Sequence, residues 1–170
     1  MKIIEALKQI KDLTRKADDL RSKIGKFSAH LNFETPMYQD QKGQVGGWLQ
    51  AHSDILKEIL HLRFAIQITN INTSITIDLG DKPVTKTIAE WIHRRRDLAT
   101  LEKMAWVMLT DKNLKEGVAT DSQNEKREVK IVRCYDPALR DRMIELFTTE
   151  PSAIDSRLEV VNAVTSLIEV

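Results

Sequence analysis

The chain has 170 residues, of which 42% are hydrophobic and 30% are charged, a composition that argues against disorder and favours a helix-rich globular protein. Lys and Arg number 26 against 25 Asp and Glu, so no overall positive field exists to drive nonspecific nucleic-acid binding. The one cysteine, Cys134, excludes an intramolecular disulfide and a multi-cysteine zinc site, and it favours a reducing compartment.

The sequence also predicts the location of the protein and its number of domains. The N-terminus places charged residues where a signal peptide needs an apolar core, so we expect a cytoplasmic protein. The longest uncharged run, residues 64–77, is rich in Asn and Thr and falls short of the roughly 20 apolar residues that span a bilayer. We therefore predict no transmembrane helix, and a single domain over residues 1–170.

The first element is a long helix with the clearest periodicity in the chain. Two apolar series repeat every seven residues: Ile3, Ile10, Ala17, Ile24 and Leu31, and Ala6, Leu13, Leu20 and Phe27. These are the a and d positions of a coiled coil. Because such a helix is about 45 Å long, we expect it to project or to pair with a second chain, giving a homo-oligomer.

Residues 32–47 are predicted to form a loop, since Pro36, Gly43, Gly46 and Gly47 interrupt the pattern. A second helix follows, antiparallel to the first. Its apolar stripe consists of Trp48, His52, Ile55, Ile59, Leu62 and Ile66.

After Thr69 and Asn70 the pattern alternates, which predicts a strand over 74–79, a turn at 80–83 and a short return strand. The capping-box spacing of Thr87 and Glu90 predicts the start of a third helix. Its predicted stripe is Ile88, Trp91, Arg95, Leu98, Leu101, Ala105 and Met108, with one basic residue in an apolar seam.

The last third of the chain is predicted to hold a polar loop at 117–126 and a strand at 128–135 that pairs with the hairpin of 74–85. Cys134 would be a small buried side chain of this strand. Asp136 and Pro137 predict a helix start, and Pro151 an interruption or restart. The final stripe is Ile154, Leu158, Val161, Thr165 and Ile168. The predicted fold class is mainly α, an antiparallel helical bundle or long helical hairpin with a small antiparallel β element at one end.

Three segments within residues 48–168 carry a family resemblance. They are Ile66-Gln-Ile-Thr69-Asn70-Ile-Asn-Thr73 with the later Arg96-Asp97, then Glu128-Val-Lys-Ile-Val, and then Ile154-Asp155-Ser-Arg-Leu158-Glu-Val-Val-Asn162. The chain resembles the septicolysin-like family of small bacterial helical proteins, whose members have no established activity. The resemblance implies a helical fold and self-association, and the family label suggests a cytolysin.

The resemblance makes a polar elbow the first candidate site. Thr69, Asn70 and Thr73 could line a ligand pocket, or they could end a helix by satisfying its last carbonyl groups. Arg96, Asp97, Asp155 and Asn162 are the other candidates, and the last three could be buried polar groups that fix helix register.

Two Glu-x-x-His motifs form the candidate metal site. Di-iron helical bundles use the spacing of Glu58 with His61 and of Glu90 with His93. At 100° per residue, however, Glu58 and His61 lie about 80° and 140° from the centre of their helix's apolar stripe. We therefore expect these four side chains to face solvent, and no metal or other cofactor is predicted.

Three functional hypotheses follow. The first is a non-enzymatic structural or interaction protein that self-assembles through amphipathic helices. The second is a metal-binding or ligand-processing enzyme of the helical-bundle type, and the third is a pore-forming or lytic protein. The mixed charges on the polar face of the first helix favour a protein partner over a lipid surface.

Overall fold

The computed structural model describes residues 1–80, 82–120 and 122–169, and it confirms the mainly α fold class with small antiparallel strand pairs. The elements are α1 (Ile3–Phe27), α2 (Gln41–Asn72), β1 (Ser74–Leu79), β2 (Lys82–Thr87), α3 (Ile88–His93), a π-helical turn (Arg94–Leu98), α4 (Ala99–Val107), β3 (Gly117–Thr120), β4 (Lys126–Val129) and α5 (Pro137–Val164). The chain divides into two compact units, one of residues 1–74, 87–89 and 158–170, and one of residues 75–86 and 90–157. The single domain over 1–170 stays a prediction.

In the first unit, α1 and α2 form the predicted antiparallel pair. Gln9 Nε2 donates to Glu58 Oε1 at 2.7 Å, and Gln41 Nε2 donates to the Phe27 carbonyl at 3.0 Å. The buried core between the helices consists of Ala6, Leu13, Ile59 and Leu62, with Ile10, Ile55, Ile66 and Leu167 packed around it. Both heptad series of α1 therefore face a partner helix, and that partner belongs to the same chain.

The first helix ends earlier than the heptad pattern predicts. Leu31 lies beyond Phe27 and is exposed. Its amide donates to Glu34 Oε2 at 2.8 Å, and its carbonyl accepts from the Glu34 amide at 3.0 Å. A local turn thus competes successfully with another turn of helix, and the placement of Leu31 in the heptad seam was wrong.

The second helix begins earlier than predicted, so the loop assignment was wrong over residues 41–47. Asp40 is the N-cap, and its carboxylate accepts from the Gly43 amide at 2.8 Å. Phe27, Tyr38 and Trp48 form an aromatic cluster at this end, with ring centroids 5.4 to 5.6 Å apart. The cap and the aromatic packing offset the cost of the glycines, about 1 kcal/mol each in a helix interior.

The two β hairpins are separate sheets. β1 pairs with β2, as predicted, although Asp81 of the predicted turn lies outside the described residues. β3 pairs with β4 in antiparallel register, from Gly117 with Val129 to Thr120 with Lys126. The predicted loop at 117–126 and the predicted pairing of 128–135 with the first hairpin were therefore wrong. A partner close in sequence costs less loop-closure entropy than a distant one.

The π-helical turn changes the register of the third helix. Ile88 and Trp91 are buried as predicted, and Trp91 Nε1 donates to the Ile75 carbonyl at 3.2 Å. After the turn Ala99 is buried, whereas Leu98, Leu101 and Met108 of the predicted stripe are exposed. One extra residue in a helical turn rotates all later side chains by about 100°, so the stripe was wrong beyond Trp91.

The last helix, α5, starts where predicted but continues through Pro151. The Ala138 amide donates to Asp136 Oδ1 at 2.9 Å, which is the expected cap. Phe147, Glu150 and Ile154 are buried on one face on both sides of the proline. Burial of this continuous face offsets the hydrogen bond that proline removes, so the predicted interruption was wrong.

Beyond α5, the chain end pairs with the start of α1. The Ile3 amide donates to the Thr165 carbonyl at 3.0 Å, and the Leu167 amide donates to the Met1 carbonyl at 2.9 Å. Of the helices formed by the described residues, none has the length and apolar character that crossing a membrane requires.

Candidate functional site

The polar elbow at the end of α2 is built around Thr69, which is completely buried. Its hydroxyl donates to the Ala65 carbonyl at 2.8 Å and accepts from the Ile168 amide at 2.9 Å. Backbone groups of the first unit therefore use the hydroxyl's donor hydrogen and one of its two acceptor lone pairs. A ligand could accept the hydroxyl hydrogen only by displacing the Ala65 carbonyl.

The backbone around Thr73 completes the elbow. Its amide donates to the Thr69 carbonyl at 2.9 Å, and its carbonyl accepts from the Ile88 amide at 2.9 Å. Asn70 is half-buried, and its Oδ1 is buried and accepts no hydrogen bond from the part of the chain described. Of the two interpretations of the elbow, these contacts support a helix-ending structural motif.

The remaining polar candidates do not form buried staples. Arg95 Nε contacts Asp155 Oδ1 at 2.6 Å, and Arg96 Nε lies 3.7 Å from Asp97 Oδ2. The side chains of Asp97 and Asp155 are about half exposed, so the expectation that they are buried was wrong. Asn162 is half-buried.

The Glu-x-x-His residues are largely exposed and engaged elsewhere. Glu58 accepts from Gln9, and His93 Nδ1 lies 3.1 Å from Arg96 Nη2. Glu58, His61, Glu90 and His93 are all exposed, as expected. Within residues 1–80, 82–120 and 122–169, no three His, Cys, Asp or Glu side chains are grouped so that they could hold a metal ion.

A buried ion pair marks the π-helical turn, and the sequence pattern missed it. Arg94 donates from Nε and Nη2 to the two carboxylate oxygens of Glu150 at 2.7 Å each, and it also pairs with Glu102. The guanidinium carbon lies 5.6 Å from the Phe147 ring centroid. These carboxylates raise the pKa of Arg94, chiefly through the hydrogen bonds that Glu150 accepts from it. A signal was present, since Glu150 falls between Phe147 and Ile154 on one apolar face.

A second polar cluster lies on the surface near a shallow cavity of about 270 Å³. Asp111 accepts from Arg133 Nε at 2.8 Å and from the Tyr135 hydroxyl at 3.0 Å. These two donors, Arg133 first, hold the pKa of Asp111 below its ordinary value. Cys134 lines the cavity and is exposed, because β4 ends at Val129; its predicted burial in a strand was wrong.

In the first unit, the surface of α2 also carries a stripe of apolar side chains. Five side chains of α2 are between 49% and 68% exposed, and we call them the outer stripe: Leu49, Leu56, Leu60, Phe64 and Ile71. At 100° per residue they fall within about 80° of the helix circumference, centred some 120° from the seam that packs on α1. The stronger inner stripe concealed this second pattern in the sequence.

Comparison with known proteins adds a fold and no activity. No protein-family model and no curated protein matches the chain. A solved structure described as that of a functionally unknown conserved protein from Corynebacterium diphtheriae is similar, with 18% sequence identity, a TM-score of 0.58 and coverage of 99% of both chains. At this identity the likeness shows the fold alone.

Proposed function

We propose that this chain is a non-enzymatic interaction protein that associates with copies of itself through an amphipathic helix. The observation that supports the proposal is the outer stripe of α2, from Leu49 to Ile71. It runs about 33 Å along the helix, at 1.5 Å per residue. Soluble monomers rarely expose apolar patches of more than a few hundred Å², and larger ones are typical of interaction sites. Two exposed polar residues, Ser53 and Gln67, lie on the same face of α2 and interrupt the outer stripe.

The helix that carries the interface differs from the one that the heptads suggest. In this chain the a and d positions of α1 pack on α2, as the buried pair of Leu13 and Leu62 illustrates. Those positions are already covered within one molecule. Self-association through helices therefore draws on the outer stripe, which the α1 contact leaves exposed.

The polar clusters support a structural rather than a chemical role. The carboxylate of Glu150 is matched by both donors of Arg94, and the hydroxyl of Thr69 is matched by two backbone groups. Groups that are paired in this way fix local geometry. A catalytic acid, base or nucleophile would need reach to a substrate that these contacts do not offer.

Sedimentation velocity tests the proposal. The unmodified protein is expected to sediment as an oligomer at micromolar concentration, and Leu60→Glu is expected to shift it to monomer because the substitution places a charge on the outer stripe. Ala51→Glu is the matched control, since Ala51 is an exposed residue of α2 on the opposite side from Leu60. A protein that remains monomeric without any substitution contradicts self-association.

We also propose a relationship to the septicolysin-like proteins, supported by the matching segments 66–73 and 154–162. Thr69 of the first segment accepts a hydrogen bond from the Ile168 amide, which lies six residues beyond the second segment. The lytic activity that the family label suggests is tested by dye release from liposomes. We expect no release, because α2 covers the apolar seam of α1.

A further inference from the structure

We propose that two copies of the chain pair through the outer stripe, with their α2 helices antiparallel and a two-fold axis passing beside Leu60. This inference rests on the proposed self-association and specifies its geometry. The occupant of the stripe is thus a second copy of the same helix, and the interface is isologous, meaning that the same surface contributes from both sides.

The spacing of the outer stripe carries the argument. Its residues are separated by seven, four, four and seven positions, so the pattern reads the same in both directions from Leu60. An antiparallel partner related by a two-fold axis places Leu60 beside its own copy. The same operation sets Leu56 against Phe64 and Leu49 against Ile71, so every apolar residue of the stripe meets an apolar residue.

Charges at the edges of the stripe are compatible with this pairing. At 100° per residue, Lys57 and Arg63 lie about 60° to opposite sides of the stripe centre. In this arrangement, the edge of the stripe that carries Lys57 faces the Lys57 edge of the second copy, and the Arg63 edge faces the Arg63 edge. Lys57 therefore does not face Arg63. Lys57 is also neutralised within its own helix, where Nζ lies 2.9 Å from Asp54 Oδ1.

The available area agrees with a small but specific dimer. Five large apolar side chains, each about half exposed or more, offer on the order of 500 Å² per copy, since a whole aromatic side chain buries about 150–250 Å². Two copies would bury about 1,000 Å² before the polar edges are counted, which reaches the lower bound for a biological interface. The inner seam lies about 120° away on α2, so pairing leaves the α1 contact intact.

Disulfide cross-linking tests the geometry in the full chain with Cys134→Ser as background, since Cys134 is exposed and would react. Leu60→Cys is expected to give a covalent dimer under mild oxidation, because the two Cα atoms come within the roughly 7 Å that a disulfide allows. Leu49→Cys alone is expected to give no covalent dimer, because residue 49 of one copy lies about 33 Å from residue 49 of the other in an antiparallel pair. Mixing Leu49→Cys with Ile71→Cys is expected to restore a cross-link.

Each outcome decides the proposal. The antiparallel geometry is overturned if Leu60→Cys gives no covalent dimer. It is also overturned if Leu49→Cys links to itself, because that cross-link requires a parallel pair of helices. If sedimentation still shows an oligomer in that case, self-association stands and only this pairing fails. If the Cys134→Ser protein is monomeric, and so is the unmodified chain, both proposals fail together and the stripe belongs to a different partner.

Discussion

Arg94 and Glu150 are joined by two parallel hydrogen bonds of 2.7 Å, and the carboxylate they fix is 1% exposed. The bonds connect the π-helical turn to α5 within the second unit. Arg94 is the first residue of the turn, so the ion pair holds the start of the turn against α5.

The first prediction compares Arg94 with its neighbour. Arg94→Met leaves the Glu150 carboxylate buried without its partner, and we expect the free energy of unfolding to fall by about 3–5 kcal/mol. Arg95→Met breaks a half-exposed pair with Asp155 and should cost about 1 kcal/mol or less. Urea unfolding measures both. A larger loss for Arg95→Met would place Arg95 in the seam, as the simple helical pattern predicts.

The second prediction concerns the seam between α1 and α2. Leu62 is buried in the cluster with Ala6, Leu13 and Ile59, so Leu62→Ala should lower the free energy of unfolding by about 2–5 kcal/mol. Leu101→Ala removes a largely exposed side chain and should cost about 0.5–1 kcal/mol. Equal losses in denaturant titrations would mean that the seam is not packed as described.

The third prediction isolates the second hydrogen bond of Thr69. Thr69→Val keeps the shape but leaves the Ile168 amide without its acceptor, which should cost about 1–3 kcal/mol. Thr14 is the control, since its hydroxyl also donates to a carbonyl four residues earlier but is exposed. Thr14→Val should be nearly neutral. Hydrogen exchange at the Ile168 amide should accelerate only in Thr69→Val, and unchanged exchange there would argue against the bond.

The fourth prediction is a pH dependence at Asp111, whose pKa is lowered by Arg133 and then by Tyr135. A carboxyl group with a lowered pKa stabilises the fold above its ordinary pKa of about 3.9, and this contribution is lost as the pH falls through the folded value. The stability difference between the unmodified protein and Asp111→Asn should therefore shrink on acidification below about pH 4. Unfolding curves over that range measure it, and a constant difference would contradict the assignment.

Sequence reasoning predicted the α1 and α2 pair because period-seven apolar residues depend only on local spacing. Leu13 and Leu62 lie where the stripes place them. The prediction failed where a single residue changed the register of a helix or the position at which a helix begins or ends. The π-helical turn has no local sequence signature, and the Asp40 cap and the buried face around Pro151 outweighed glycine and proline propensities that predict a break.

For the candidate sites as well, local patterns could be predicted from the sequence and contacts between distant residues could not. Thr69 was found, since a polar residue ending an apolar helix stands out, but its partner Ile168 lies far away in sequence and could not be inferred. Glu150 was missed because its partner Arg94 lies 56 residues away in the sequence. The outer stripe around Leu60 was missed because exposure depends on which stripe α1 covers.

Native mass spectrometry of gently purified protein is the most direct test of self-association through α2, because one spectrum reports both subunit number and retained ligands. We expect a dimer of the 19.5 kDa chain with no excess mass. A monomer at micromolar concentration would contradict self-association through the outer stripe. Excess mass matching a metal ion or small molecule would support a ligand-binding role and would make Asn70, whose buried Oδ1 accepts no hydrogen bond from the described residues, the first place to search for the ligand.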